Sequence, residues 1–210
     1  VSVRWARQAV ALAVPALLLC GCAQQVVSVD PSRPRAPAVS TPAPAFSAPA
    51  RPGFVIAASH ATTDPSTRDL AAELARRTGF ALVVTPGLAV DPERVREAAR
   101  GPLTFYAELR GGDAREPANL MAIATVGIDD GLAARLRALY ELIRNAYVRG
   151  HPGTPVVDVL FEPAREGIGR PPTRALHLEL PRIARGEARE SYTAILADFL
   201  AEAATLPAGR

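Results

Sequence analysis

The apolar positions of this chain change their spacing several times along its length. An unbroken apolar run, Ala9 to Leu19, comes first, and a long stretch without periodicity follows it. From Phe54 onward, short apolar runs alternate with segments in which apolar residues recur every three or four positions, the spacing of a helix with one buried face. Phe54 to Ser59 and Phe80 to Thr85 read as buried strands. Between them, Asp64-Pro65 supplies an N-cap and a proline at the first helical position, Leu70 and Leu74 mark the inner face, and Gly79 closes the helix. Asp91-Pro92 opens a short second helix with the same chemistry. Leu103 to Leu109 and Leu120 to Val126 are further strands. Leu132, Leu136, Leu139, Tyr140, Ile143 and Tyr147 then predict a helix from about Asp130 to Arg149. Val156 to Phe161 and Ala175 to Leu180 complete the strands, and a last helix is expected from about Glu187 to Ala204. This alternation predicts an α/β fold over residues 54–206: a mostly parallel sheet covered by helices on both faces, a single domain behind a disordered N-terminal segment.

The first apolar run has a different meaning. Arg4 and Arg7 precede it, and it is far shorter than the roughly 20 residues that span a bilayer as a helix. A charged start, a short apolar segment and small residues beyond it describe a secretory signal. Leu19-Cys20-Gly21-Cys22 resembles the bacterial lipobox, so residues 1–21 are expected to be a lipoprotein signal peptide and Cys22 the lipidation site. Several acyl chains there hold a protein firmly, at roughly 0.8 kcal/mol per buried CH₂. The lipid bilayer is then a partner, and the location is the bacterial cell envelope, facing the exported side. Residues 22–53 form the tether. Pro31 to Pro52 holds seven Pro and six Ala in 22 residues, a composition that cannot bury a core and favours extended PPII. Such a spacer reaches up to about 70 Å at roughly 3.1 Å per residue.

Charge narrows the partners. All 24 basic residues are Arg, and the net charge is +3. Residues 1–53 hold five Arg and one Asp, whereas residues 54–210 hold 19 Arg against 20 acids. The domain is nearly neutral without a basic stripe, which argues against nucleic acid as a partner. Cys20 and Cys22 are the chain's two cysteines and lie too close to staple a fold.

In an open parallel sheet, ligands gather beyond the C-terminal ends of the strands. His60 follows the first strand, Arg110 the third, and Glu179 lies late in the last. His60 and Asp64 are both able to ligate Zn²⁺, although a catalytic site usually needs three protein ligands and a water. Asp64 as a helix cap is the plainer reading. His177 and Glu179, two apart on a strand, face the same way. A carboxylate on a central strand needs a cation, a metal or solvent, and Arg110 or Arg182 is able to meet that need. His151, in Arg149-Gly-His-Pro-Gly, reads as a surface turn.

Four stretches, ASHATTDPSTRDLAAELARRTG (58–79), PLTFYAELRGG (102–112), AIATVGIDDGLAARLRALYELI (122–143) and RALHLELPRIARGEARESYTAILADFL (174–200), resemble the N-formylglutamate amidohydrolase-like proteins. That family is related to the zinc-carboxypeptidase and poly-γ-glutamate hydrolase architecture. The resemblance implies that His60 and Asp64 stand at metal-ligand positions with Thr67 beside them, and that Glu179 stands at the catalytic carboxylate. Under a hydrolase reading, Thr67, Arg110 and Arg182 are the expected substrate-binding residues, Arg110 through a bidentate fork on a carboxylate. Zinc in such a site polarises an amide carbonyl and acidifies a water, while the carboxylate moves protons to the leaving amine.

The departures are as informative. Where the family carries His within Glu-Ile-His-Gly-Asn, this chain has Glu108-Leu-Arg110-Gly-Gly112, and Arg has no lone pair for a metal. The glycine pair after the first His is replaced by Ala61 and Thr62, and an Arg- and Asn-rich segment expected before the third strand is missing. Two readings stand. In one, a membrane-anchored protein keeps the scaffold with a degenerate metal centre and a binding or structural role, Arg110 pairing with Asp64 or Glu179. In the other, an active zinc-dependent amidohydrolase cleaves an N-acyl amino acid, γ-glutamyl or cell-wall peptide amide.

Overall fold

A computed structural model describes residues 51–60, 63–87, 89–112, 118–163 and 173–207. The signal, Cys22 and most of the tether therefore lie outside the described residues, as do Ala61 and Thr62. The described chain runs β1 (Phe54–Ala58), α1 (Pro65–Thr78), β2 (Ala81–Val84), α2 (Pro92–Ala99), β3 (Phe105–Gly111), β4 (Leu120–Val126), α3 (Asp130–Gly150), β5 (Asp158–Pro163), β6 (Arg174–Leu180), α4 (Arg182–Arg185) and α5 (Arg189–Ala203). The strands form one six-stranded sheet in the order β2-β1-β3-β6-β4-β5. β1, β2, β3 and β6 are mutually parallel. β4 runs against β6, and β5 follows β4 in parallel. The sheet is thus mostly parallel with helices on both faces, as the alternation predicts.

Local chemistry starts and stops the helices as expected. Asp64 accepts from the Thr67 amide at 3.2 Å, Asp91 from the Glu93 amide at 2.9 Å, and Asp129 from the Leu132 amide at 2.7 Å. Gly79 ends α1 in the left-handed region at φ +71°, which a side chain resists. Arg174 closes the other end of the domain. Its guanidinium donates to the carbonyls of Leu206 and Ala204, satisfying the last turn of α5.

Side-chain alternation gives each face its own core. Ile56 and Ala58, Leu82, Phe105, Ala107 and Leu109, Met121 and Ile123, and Leu176, Leu178 and Leu180 pack beneath α1, α3, α4 and α5. α5 runs between α1 and α3, which explains buried residues around much of its circumference. On the second face, Val55, Ala57, Ala81, Val83, Tyr106 and Ala175 pack beneath Val95, Ala98 and Ala99 of α2. Among the described residues, that helix covers the β2-β1 side of the face. Along β4, by contrast, buried positions alternate with half-buried Leu120, Ala122, Ala124 and Val126.

Several boundaries differ from the expected ones, three of them with consequences. β3 continues to Gly111. β5 begins at Asp158 because the backbone of Val157 is committed elsewhere: its amide donates to Tyr192 Oη at 2.6 Å, and its carbonyl accepts from Tyr140 Oη and Arg144 Nη1. The last helix, α5, keeps close to its expected span, but an unexpected short helix, α4, precedes it and ends where Gly186 breaks the backbone at φ −113° and ψ −106°. That break makes Arg185 a corner residue at the end of β6.

Candidate functional site

The sheet order reverses direction after β2, so β1 and β3 are neighbours whose following connections diverge, the usual place for a ligand crevice. The C-terminal ends of β1, β3 and β6 meet here. Two polar clusters occupy them, one on each face of β3.

Asp64 anchors the first. One carboxylate oxygen accepts from Ser66 Oγ at 2.5 Å and from the Thr67 amide. The other accepts from Thr67 Oγ1 at 2.7 Å and from Arg185 Nη1. Burial pushes the Asp64 carboxyl upward, but the bonds from Ser66 and Thr67 and the Arg185 charge together hold it below the usual carboxylate range. Arg185 also donates from Nε to the Leu180 carbonyl at 3.0 Å and from Nη2 to the Gly112 carbonyl at 3.3 Å. One guanidinium therefore ties the N-terminus of α1 to the ends of β3 and β6. Gly111 makes room for it. A Cβ at that position would overlap Asp64 Oδ2 and lie 2.8 Å from Arg185 Nη1.

Glu108 anchors the second cluster, on the opposite face, with only 2% of its side chain exposed. It accepts from Tyr106 Oη at 3.0 Å, Arg110 Nε at 2.7 Å and His177 Nδ1 at 3.1 Å. Burial opposes the charged carboxylate, yet the bonds from His177 and Arg110 and their charge bring Glu108 down to about 2. The same carboxylate, with burial as the larger cause, pushes the Tyr106 phenol far up, so it remains a donor. Tyr106 meets the His177 ring edge-to-face, with centroids 5.8 Å apart. Glu179 lies directly across from Arg110 in the β3–β6 register and adds to the field that raises the Arg110 guanidinium, behind Glu108.

The residues picked out from the sequence are therefore divided. Asp64 and Thr67 come together, but Thr67 is fully buried with its hydroxyl donated to Asp64 instead of facing a substrate. Arg110, Glu179 and His177 share the second face. Arg182 opens α4 and is exposed. His60 lies in the turn two residues beyond β1 with φ +58°, an uncommon setting for a residue with a Cβ, and its carbonyl accepts from the amides of Thr63 and Asp64. The pairing of Arg110 with Asp64 is corrected: Gly111 faces Asp64, so its neighbour Arg110 points the other way, and Arg185 supplies the guanidinium. Arg185, Glu108, Tyr106 and Gly111 are the participants that sequence reasoning missed. Glu108 was open to discovery because it shares a strand face with Arg110. No spacing rule links Arg185 to Asp64 across 121 positions.

This donor set does not fit a catalytic zinc ion. Both Asp64 oxygens are taken by protein donors, and among the described residues no three metal-ligating side chains converge.

No family model matches the chain, and no curated protein matches it in sequence. Solved structures resemble it at low identity. A conserved protein of unknown function is 9% identical with a TM-score of 0.45, covering 76% of this chain, which spans 65% of that protein's length. A bacteriophage poly-γ-glutamate hydrolase is 14% identical with a TM-score of 0.44, covering 77% of this chain and 87% of the hydrolase. The N-acetylmuramoyl-L-alanine amidase AmiC2 of Nostoc punctiforme is 14% identical with a TM-score of 0.41, covering 73% of this chain and 96% of the amidase. Likeness at this level says nothing about activity.

Proposed function

We propose that this chain is a lipid-anchored protein of the bacterial cell envelope, acylated at Cys22, whose α/β domain has a degenerate metal centre and acts by binding a small ligand. One observation carries the reading of the domain. At Asp64, the place where the resemblance puts a metal ligand, the carboxylate is neutralised by the chain's own Arg185 and saturated by Ser66 and Thr67. A cation arriving there has to displace a guanidinium that also holds two backbone carbonyls. The anchor rests on Leu19-Cys20-Gly21-Cys22 and the Pro/Ala-rich tether behind it.

Equilibrium dialysis of the full chain in detergent against micromolar zinc tests the domain reading. The expected result is no stoichiometric zinc. About one tight zinc per chain that disappears in His60→Ala would overturn it in favour of an amidohydrolase. The anchor is tested separately by metabolic labelling with palmitate. Label is expected in the protein and absent from Cys22→Ala, and label retained in that variant would remove the lipidation assignment.

A further inference from the structure

β5 forms the edge of the sheet opposite β2, and among the described residues no strand pairs with its outer side. On its inner side the Asp158 amide donates to the Asn119 carbonyl at 2.8 Å, so alternation turns the N–H and C=O of Val159 and Phe161 outward. Such groups are a template for one more strand. A groove of about 370 Å³ runs beside this edge, between β5 and α3. Phe161 is its strand wall. Ala133, Ala134 and Ala138 are its helix wall, and their short side chains leave it open. Asp130 and Glu141, the first and last helix residues along it, lie about 16 Å apart at a rise of about 1.5 Å per residue. Five residues of strand cover nearly the same length, at roughly 3.3 Å each.

Charge along the edge says what that strand carries. On the face away from the groove β5 presents Asp158, Leu160 and Glu162, all exposed: acid, apolar, acid. Asp158 also meets Arg144 Nη1 at 3.0 Å. In the groove, Arg137 lies over the Phe161 ring, with Cζ 6.0 Å from its centroid, between Asp130 and Glu141. A second copy fits poorly. Antiparallel pairing of two β5 strands about Leu160 sets Asp158 against Glu162 twice, and like charges directly opposite destabilise a sheet. Charges commonly blunt an edge strand, but blunting does not call for a groove beside it. We infer that this edge docks an extended, cationic segment of another protein, which adds to β5 as a strand. Basic residues stand opposite Asp158 and Glu162, and an apolar residue between them stands opposite Leu160. The two intervening side chains turn into the groove, against Phe161 and the three alanines. Main-chain bonds supply the attachment, and the groove and the two acids supply the selection. The edge is three strands from β3 and its two clusters, so this surface is independent of the degenerate-centre reading.

The probe is a capped, fluorescein-labelled peptide, Ser-Lys-Leu-Val-Leu-Lys-Ser, titrated with the full chain in detergent at low salt and followed by fluorescence anisotropy. Saturable binding is expected. Exchanging both Lys for Glu should weaken it about tenfold, and so should N-methylation of the Leu-Val-Leu amides, which removes the donors that pair with β5. Glu162→Lys should weaken the Lys peptide about fivefold and tighten the Glu peptide. Ala134→Leu fills the groove from an exposed helix position at little cost in helix propensity and should weaken the Lys peptide about tenfold. Both positions are exposed, so neither variant is expected to lower Tm, and loss of folding does not confuse the result. No saturable binding, equal binding of the Glu peptide, full binding of the N-methylated peptide, or unchanged affinity in both variants would overturn the inference. A dimer of the free chain in sedimentation that Ala134→Leu dissociates would also overturn it, since the groove would then belong to a second copy.

Discussion

Replacing Arg185 with Ala removes the guanidinium that closes the end of the sheet, and its cost follows from the bonds it makes. The pair with Asp64 is largely buried, with side-chain exposures of 15% and 17%, so solvent screens it little. A hydrogen bond to a charged group contributes about 1.5–3 kcal/mol, and the bonds to the Leu180 and Gly112 carbonyls add less because the longer is 3.3 Å. Asp64 keeps its Ser66 and Thr67 donors, which limits the loss. We expect Arg185→Ala to cost about 3 kcal/mol. For a domain of this size that lowers Tm by about 6–12 °C, at 2–4 °C per kcal/mol. Asp64→Asn isolates the charge, since Asn caps a helix as well as Asp. Urea unfolding of both single variants and the double variant, followed by circular dichroism, gives the coupling energy. It should be about 2 kcal/mol. A loss below about 0.5 kcal/mol for Arg185→Ala, or additive single losses, would refute the description of this pair as a structural clasp.

Further outcomes follow from the same geometry. Glu108 titrates at about 2 when folded, well below an ordinary carboxylate, so its contribution is present above about pH 4.5 and is lost as pH falls through about 2. That contribution is on the order of 3 kcal/mol. Stability of the unmodified chain should fall across that interval, and Glu108→Gln should flatten the fall while lowering stability at neutral pH; a parallel acid profile in the variant would count against it. Gly111→Ala places a Cβ against Asp64 and Arg185 and is expected to cost about 1–3 kcal/mol by urea unfolding, whereas an unchanged midpoint would mean that the corner relaxes freely. Any zinc gained by Arg110→His should vanish on adding His177→Ala and persist on adding Asp64→Asn; dependence on Asp64 would show that the two clusters are one.

What was legible in the sequence was whatever depends on near neighbours in the chain. Asp64-Pro65, Asp91-Pro92 and Gly79 fixed helix ends because a cap is satisfied within three residues. The alternating apolar runs gave the sheet because a strand buried on both faces has few other solutions. The short α4 before the last helix was not legible, since four residues are too few to show an apolar period. Val157 left its strand for a similar reason: Tyr140, Arg144 and Tyr192 take its backbone groups, and those partners lie 13 to 35 positions away. Site residues followed the same rule. His177 and Glu179 were placed on one face by counting, and Glu108 with Arg110 yields to the same count. The partner of Asp64 does not.

That missing partner changes how position 110 is understood. A resemblance carried residue by residue makes Arg110 the substituted metal ligand and invites a direct exchange, guanidinium for imidazole, in front of Asp64. Alternation forbids it. Gly111 presents its missing side chain to Asp64, and position 110 is one step away on the strand and on the other face, bonded to a carboxylate buried beside His177. Two carboxylates, Asp64 and Glu108, are thus neutralised by two different arginines on opposite sides of β3, and Arg185 is held by the strand ends as well as by its partner. A cleft that served one ion would need its ligands to converge. Here they are parted by the thickness of a strand. At these strand ends Asp64 and Arg185 close one face, and Glu108 binds Arg110 and His177 on the other.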